Sequence, residues 1–323
     1  MLAGPEQLAA AVARLKAGGL VAFPTETVYG LGADALREDA VRRVFEIKGR
    51  PSNNPLIVHV SGPAMARAVV DAWTAEADML AAAFWPGPLS IVLPKSARVP
   101  AIVTAGGPNV AVRCPDHPTA LALLEAFGGP LVGPSANPSG RVSPTTAEHV
   151  RASFDESEVL VLDGGPCRGG IESTVVKLGD TARVLRPGLV SAAEIARVIG
   201  RPVEGPASES SGPAESPGML ASHYAPATPV RLCDVAEVAG VLASGGPAVV
   251  ISHEDVEAPA PHSLIAMPRE AAAYARRLYA ALREADSAGA ERIVVVQPRV
   301  EGSEEERSTW NAVLDRLKRA AAR

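Results

Sequence analysis

The stretch "KGRPSNNPL", Lys48 to Leu56, sets two cations one residue apart among prolines and asparagines, with no acidic residue inside it. In a chain of formal net charge -5, that pair asks for an anion. Lys48 closes a helix, where a cation complements the macrodipole and needs no ligand. Arg50 precedes Pro51, which pushes it into extended backbone and out onto a loop. A loop Arg surrounded by Asn and Ser reads either as a solvated surface residue or as one wall of an anion site. Other loops favour the second reading. Arg113 ends the alternating segment "NVAVR", and "GPSANPSGRVS" carries Ser135, Asn137, Ser139, Arg141 and Ser143. "DGGPCRGGIEST" adds glycines with Arg168, Ser173 and Thr174, and "VLRPG" adds Arg186. Glycine lets backbone N–H groups approach an oxyanion, hydroxyls and amides orient it, and the Arg fork suits phosphate or carboxylate.

A further polar stretch, "PTETVYGLG", places Thr25, Glu26, Thr27 and Tyr29 just past an apolar run, where α/β folds put ligand loops. It reads equally as an ordinary polar turn. "GLGADA" fits the loose G-x-G-x-x-A dinucleotide pattern, but "PTETVY" separates it from the strand where a Rossmann loop would turn at once. No Gly-Lys-Ser/Thr, G-x-S-x-G or H-E-x-x-H motif is present, and the histidines are scattered without metal-ligand spacing. A site rich in Arg, Lys, hydroxyls, amides and glycine, but poor in nucleophile–base pairs, suits positioning and charge stabilisation of phosphate chemistry rather than an acyl-enzyme route.

These loops need elements to hold them. Pro5 to Lys16 reads as a helix, "LVAF" as a buried strand, and a second helix starts near Asp39 and stops at Gly49. "LIVHV", "LSIVL", "NVAVR", "PLVGP", "VLVLD" and "STVVKL" are strands, with helices over about 63–72, 74–84, 116–127, 145–153 and 191–199. Strands outnumber crossover helices, which predicts an open α/β domain over residues 1–200 with a mixed sheet. Residues 201–227, rich in Ser, Pro, Gly and Glu, read as an extended linker. Alternation resumes over 228–323 and predicts a smaller Rossmann-like α/β domain with a mostly parallel sheet, ending in a helix opened by the Ser303/Glu306 capping box. Nothing in this second domain collects catalytic residue types, which makes it a scaffold or lid.

The bulk numbers agree with two folded domains: 323 residues, 47% hydrophobic and 21% charged. Mild acidity argues against a surface that coats nucleic acid, although a local basic cleft would not register in the net charge. Cys114, Cys167 and Cys233 are odd in number and far apart, as expected of buried thiols in a reducing compartment. No charged flank and apolar core mark a signal peptide, and no apolar run reaches membrane-spanning length, so a cytoplasmic location without membrane contact is expected.

Taken in order, "FPTETVYGLGADA", "KGRP…NPL", "FWPGPLSIVL", "VAVRCPDHP", "GPSANPSG", "GGIESTVV" and "LRPG" resemble the YrdC/Sua5 family, the threonylcarbamoyl-AMP synthases. The K-x-R and S-x-N signature of that family is matched by Lys48/Arg50 and Ser135/Asn137. "SPGMLASHYAP" and the small second domain look like the longer Sua5 form. The resemblance implies a nucleotidyltransferase that converts L-threonine, bicarbonate or CO2, and ATP to threonylcarbamoyl-AMP and pyrophosphate, for the t6A modification of tRNA. It implies that Thr27, His59, Arg113 and Ser173 hold threonine or its carbamate. Lys48, Arg50, Asn54, Ser135, Asn137, Ser143 and Arg186 would face the nucleotide, with Lys48, Arg50 and Arg113 acting in catalysis. Tyr224 of "HYAP" would fold over the nucleotide as a lid. Relatives with basic residues just before that His differ from this chain, which has Leu220, Ala221 and Ser222 there. Mg²⁺ is expected to be bound mainly through ATP, since no carboxylate cluster is present to cage it.

The product would pass to the tRNA threonylcarbamoyl-transferase machinery. Double-stranded RNA in the same cleft is the rival reading, opposed by the acidic composition and the lack of an aromatic stacking platform. A carbamoyl-adenylate domain of the hydrogenase-maturation type is a second rival, opposed by the absence of acylphosphatase and zinc-finger regions.

Overall fold

The computed structural model describes residues 3–206 and 223–322. The first domain is built on strands β1 (Leu20–Phe23), β2 (Gly30–Asp34), β3 (Ile57–His59), β4 (Leu89–Pro94), β5 (Asn109–Arg113), β6 (Leu131–Val132), β7 (Val159–Val161), β8 (Thr174–Lys177), β9 (Ala182–Arg186) and β10 (Val203–Glu204). They form one sheet in the order β10-β9-β8-β4-β5-β3-β6-β2-β1-β7. Parallel pairs such as β3 with β5 alternate with antiparallel ones such as β4 with β5, the mixed sheet that the strand count predicts.

Alternation along the strands decides what each face buries. Leu20 and Ala22 of β1 point into the larger core with Val44, Phe45 and Leu80, while Val21 and Phe23 meet Leu15, Leu123 and Leu124 on the other side. In the central strands Val58, Ile91 and Val112 join the large core. Their opposite face carries only a small apolar patch, Ile57, Val92, Ala111 and Val175. His59 and Arg113, cross-strand partners one alternation beyond Ile57 and Ala111, fall on that lightly covered face.

The second domain is a four-stranded, wholly parallel sheet of β11 (Val230–Cys233), β12 (Ala248–Ser252), β13 (Ser263–Ala266) and β14 (Arg292–Val296), in the order β11-β14-β12-β13. Its helices Ala271–Ser287 and Glu304–Ala321 pack together, and the second opens with the expected Ser303 capping box. The two domains share a core, in which Val28, Val142 and Ile171 meet Tyr279, Leu282 and Leu317. Gly170, at φ 79°, lets the helix Ala271–Ser287 close in: a Cβ there would lie 2.3 Å from the Arg276 Cα.

Local readings differ from the structure in four places. "GLGAD" is β2, antiparallel to β1, not part of a turn; only "PTETVY" is loop, which removes the dinucleotide pattern. The second helix begins at Glu38, with Arg37 at the N-cap position, and Asp39 lies inside its first turn, paired with Arg37. The helix expected over 63–72 ends at Ala66, where the chain is pulled onto β4: Val70 bridges Lys95 and the Asp71 N–H donates to the Pro94 carbonyl at 2.8 Å. Within the expected linker, Val203–Glu204 is a strand paired with β9, and residues 207–222 lie outside the described residues.

Candidate active site

Thr27, Arg50, His59, Arg113, Ser135, Arg186 and Tyr224 line one cavity of about 40 Å³. They come from the loop after β1, the loop after the helix Glu38–Lys48, the ends of β3, β5 and β9, the loop after β6, and the segment that resumes at His223. Residues far apart in the chain thus meet at one sheet face, and all of them except Ser135 are buried.

Arg50 is not the solvated loop residue that its neighbours in sequence allow. It is 8% exposed, and its Nε and Nη2 donate to the Asn54 carbonyl (3.0 Å), the Asn54 Oδ1 (2.7 Å) and the Pro55 carbonyl (2.7 Å). Burial, with Arg186 close by, lowers its pKa to about 9, so it stays cationic at neutral pH. Arg113 donates to the Thr27 hydroxyl at 2.9 Å and pairs with Glu26 at 2.7 Å. Arg186 spans the Ser173 carbonyl (2.9 Å) and hydroxyl (3.1 Å), and Ser173 in turn shares a hydrogen with Ser90 at 2.9 Å. Burial and the neighbouring Arg113 hold His59 well below its ordinary pKa; its ring is neutral and its Nδ1 has no hydrogen-bond partner.

Lys48, Asn54, Asn137, Ser143 and Ser173 stand behind this wall and set it. The Lys48 ammonium donates to the carbonyls of Ser135 (2.6 Å) and Asn137, stapling the S-x-N loop to the end of its own helix. Burial and Arg50 push the Lys48 pKa down. Asn54 braces Arg50, and its Nδ2 is unpartnered, as is the Asn137 Oδ1. Ser143 donates to Glu172 at 2.7 Å. Buried polar atoms left without partners are rare in folded proteins and concentrate where a ligand supplies the missing bond. Among the described residues no carboxylate pairs with Lys48 or Arg50.

Tyr224 forms part of the cavity wall. It is 1% exposed and adopts φ 61°, a left-handed conformation that is uncommon for a bulky residue. Its ring stacks on Tyr279 at 5.7 Å, and the Arg316 guanidinium sits 5.5 Å from its centroid. Next to it, burial and the cations Arg50, Lys48 and Arg186 drive His223 down to about 3 despite Glu172.

Sequence reasoning missed Glu172 and His223 on the cavity wall, and Tyr279 and Arg316 behind it. For Glu172 a signal existed, an acidic residue in the middle of an otherwise anion-seeking loop. For Arg316 none did, because a basic residue in a late amphipathic helix reads as surface.

Two protein-family models match the chain. The Sua5/YciO/YrdC model, described as telomere recombination, covers residues 13–188, and one described as the C-terminal domain of threonylcarbamoyl-AMP synthase covers 190–322. The threonylcarbamoyl-AMP synthase of Pyrococcus abyssi is 42% identical over 320 residues, 95% of this chain and 92% of that one. The Bacillus subtilis enzyme of the same name is 46% identical over 231 residues, 71% of this chain and 67% of its own length. A crystal structure of P. abyssi Sua5 complexed with L-threonine superposes with a TM-score of 0.87 at 40% identity, covering 97% of this chain and 94% of that one. A structure of a P. abyssi Sua5 variant, with an adjacent His and Tyr changed to Ala, superposes at 0.89 with 38% identity, covering 97% and 92%.

Proposed function

The chain belongs to the YrdC/Sua5 family of two-domain threonylcarbamoyl-AMP synthases, and from that premise we propose that it forms L-threonylcarbamoyl-adenylate and pyrophosphate from L-threonine, bicarbonate or CO2, and ATP. The observation that carries this reading is the convergence of Arg50, Arg113 and Arg186 on one buried cavity edged by hydroxyls and a neutral imidazole. In the reaction the threonine amine adds to CO2 and loses a proton, giving a carbamate. A carbamate oxygen then attacks the α-phosphorus of ATP as the bond to the β-phosphate oxygen breaks and pyrophosphate leaves. Neither step needs a covalent enzyme nucleophile. Both need two anions held together against their repulsion, which fixed cations in a water-poor site accomplish.

Thr27, His59 and Arg113 form the threonine end of the cavity, with Ser173 acting through its grip on Arg186. Neutral His59 accepts or donates a hydrogen bond there without adding charge. Arg50, Arg186 and the Ser135 loop form the nucleotide end, supported by Lys48, Asn54, Asn137 and Ser143. A cavity of about 40 Å³ is far smaller than the roughly 300–1,000 Å³ that small-molecule pockets ordinarily offer, and so is too small for a nucleotide. Tyr224 therefore swings out to admit ATP and returns to exclude water.

Cations, hydroxyls and amides are a donor set for phosphate oxygens, and no group of three or more His, Cys, Asp or Glu suited to a metal stands among the described residues. Mg²⁺ would be held mainly through the triphosphate, where it would supply further charge neutralisation. The product feeds tRNA t6A formation in the cytoplasm; no described helix is long and apolar enough to cross a membrane.

Incubation with ATP, bicarbonate and Mg²⁺ should release pyrophosphate only when threonine is present. Release indifferent to threonine, together with tight duplex-RNA binding at physiological salt, would refute the enzyme reading.

A further inference from the structure

Among the described residues Glu172 is the one carboxylate lining the cavity, alongside Arg50, Arg113 and Arg186. A site meant for a triphosphate and a carbamate does not obviously want an anion in its wall. The carboxylate is fully engaged, however, and chiefly by the other domain. Its Oε2 accepts from the Arg316 Nε at 2.9 Å and from the Tyr279 hydroxyl at 2.8 Å, while its Oε1 accepts from Ser143 at 2.7 Å. Arg316 is 0% exposed and lies 144 residues away in sequence, on the last helix.

We propose that Arg316 enables anion binding by neutralising Glu172, so that docking of the second domain keeps an uncompensated carboxylate out of the cavity wall. The proposal rests on the ATP-dependent reading above and assigns the second domain an electrostatic part in it, beyond that of a scaffold.

The arrangement is asymmetric in a way that supports this direction. Arg316 also pairs with Asp315 at 2.8 Å, so it keeps a counter-charge if Glu172 is lost. Glu172 has no such reserve within its own domain except the cations of the site. Burial alone would raise its carboxyl, yet the fields of Arg316 and then Arg186 hold it below the ordinary value, so it is ionised. With Arg316 removed, the cavity wall holds a buried carboxylate that has lost its ion-pair partner. A phosphate entering the cavity would then meet the repulsion of that uncompensated carboxylate.

The test is a double-mutant cycle on the full chain, reading binding of ATP and of inorganic tripolyphosphate by calorimetry, with circular dichroism and thermal melting as folding controls. R316M should weaken tripolyphosphate binding by about tenfold or more, the effect of one added unscreened charge. E172Q placed in the R316M background should restore affinity to within about threefold of the parent, since a buried ion pair replaced as a unit is often neutral to the fold. R316K, which keeps the charge, should bind close to the parent. If the double variant binds as weakly as R316M, Arg316 acts through packing or through the Tyr224 ring, and the proposal fails. Unchanged binding in R316M also overturns it. Should R316M not melt cooperatively, E172Q alone decides: binding at least as tight as the parent supports the proposal, and a tenfold loss refutes it. A parent protein that binds neither probe refutes the ATP reading itself, whereas a binding parent without rescue refutes only this inference.

Discussion

Replacing Arg50 with Ala separates two roles that the geometry assigns to one side chain. The guanidinium makes three hydrogen bonds, to the Asn54 carbonyl, the Asn54 Oδ1 and the Pro55 carbonyl, which fix the loop entering β3. Bonds to a charged group contribute about 1.5–3 kcal/mol each, partly offset by the relief of desolvating a buried cation, so a net loss of about 3 kcal/mol is expected. For a domain of this size that lowers Tm by roughly 6–12 °C. Such a cost is not small, and it means that stability and activity must be read separately. At 25 °C a domain with the usual reserve of about 5–15 kcal/mol stays folded after this loss. If Arg50 also meets the phosphates, kcat/KM for pyrophosphate release at 25 °C should fall by about 10²–10³, the effect of removing one preorganised charge at a reacting centre. Arg50→Lys should recover part of the rate and little of the Tm, because Lys keeps the charge but not the fork. A variant with the expected Tm loss but kcat/KM within about threefold of the parent, a change of less than 1 kcal/mol, would refute the catalytic role and leave Arg50 a loop brace.

Two further outcomes follow from burial and backbone geometry. His59 and His223 are neutral in the folded protein, with His223 lowered to about 3 and His59 shifted the same way, so the unfolded chain binds more protons below its own histidine pKa. Stability should therefore be full above about pH 6.5 and fall as pH drops toward 3, by about 2 kcal/mol at pH 5 for His223, with His59 acting in the same direction. Denaturant titration at pH 7 and pH 5 measures this, and His223→Asn should flatten the slope; an unchanged slope would place His223 in solvent. Gly170→Ala puts a Cβ 2.3 Å from the Arg276 Cα and 2.4 Å from the Ala275 carbonyl at a left-handed φ, so the second domain should dock poorly. A stability loss of about 3 kcal/mol or more and a larger radius of gyration by X-ray scattering are expected; a parental radius and Tm would contradict the packing described.

Much of the architecture is legible because it rests on local pattern. "LVAF" and "NVAVR" are short apolar or alternating runs, the final helix announces itself by its capping box, and anion-seeking loops recur at strand ends. "GLGAD" is not legible, since glycine lacks strand preference; its pairing is decided by β1, whose Phe23 ring lies over Gly30 and Gly32, where a Cβ would come within 3.0 Å. The roles of Lys48 and Glu172 are also nonlocal. Nothing near Lys48 in sequence says that its ammonium will be taken by carbonyls at 135 and 137, and nothing near Glu172 points to Arg316. Sequence motifs mark where a site gathers, but which side chains face the ligand and which hold the others is settled by contacts between distant segments.

The proposed reaction is decided by where the carbon of bicarbonate goes. Incubating the protein with ¹³C-bicarbonate, L-threonine, ATP and Mg²⁺, then analysing the rapidly quenched mixture by mass spectrometry, follows that atom directly. An adenylate containing both threonine and the labelled carbon should form together with pyrophosphate and be lost when threonine is omitted. An adenylate of threonine that lacks the label, or nucleotide turnover with no carbon incorporated, would contradict it.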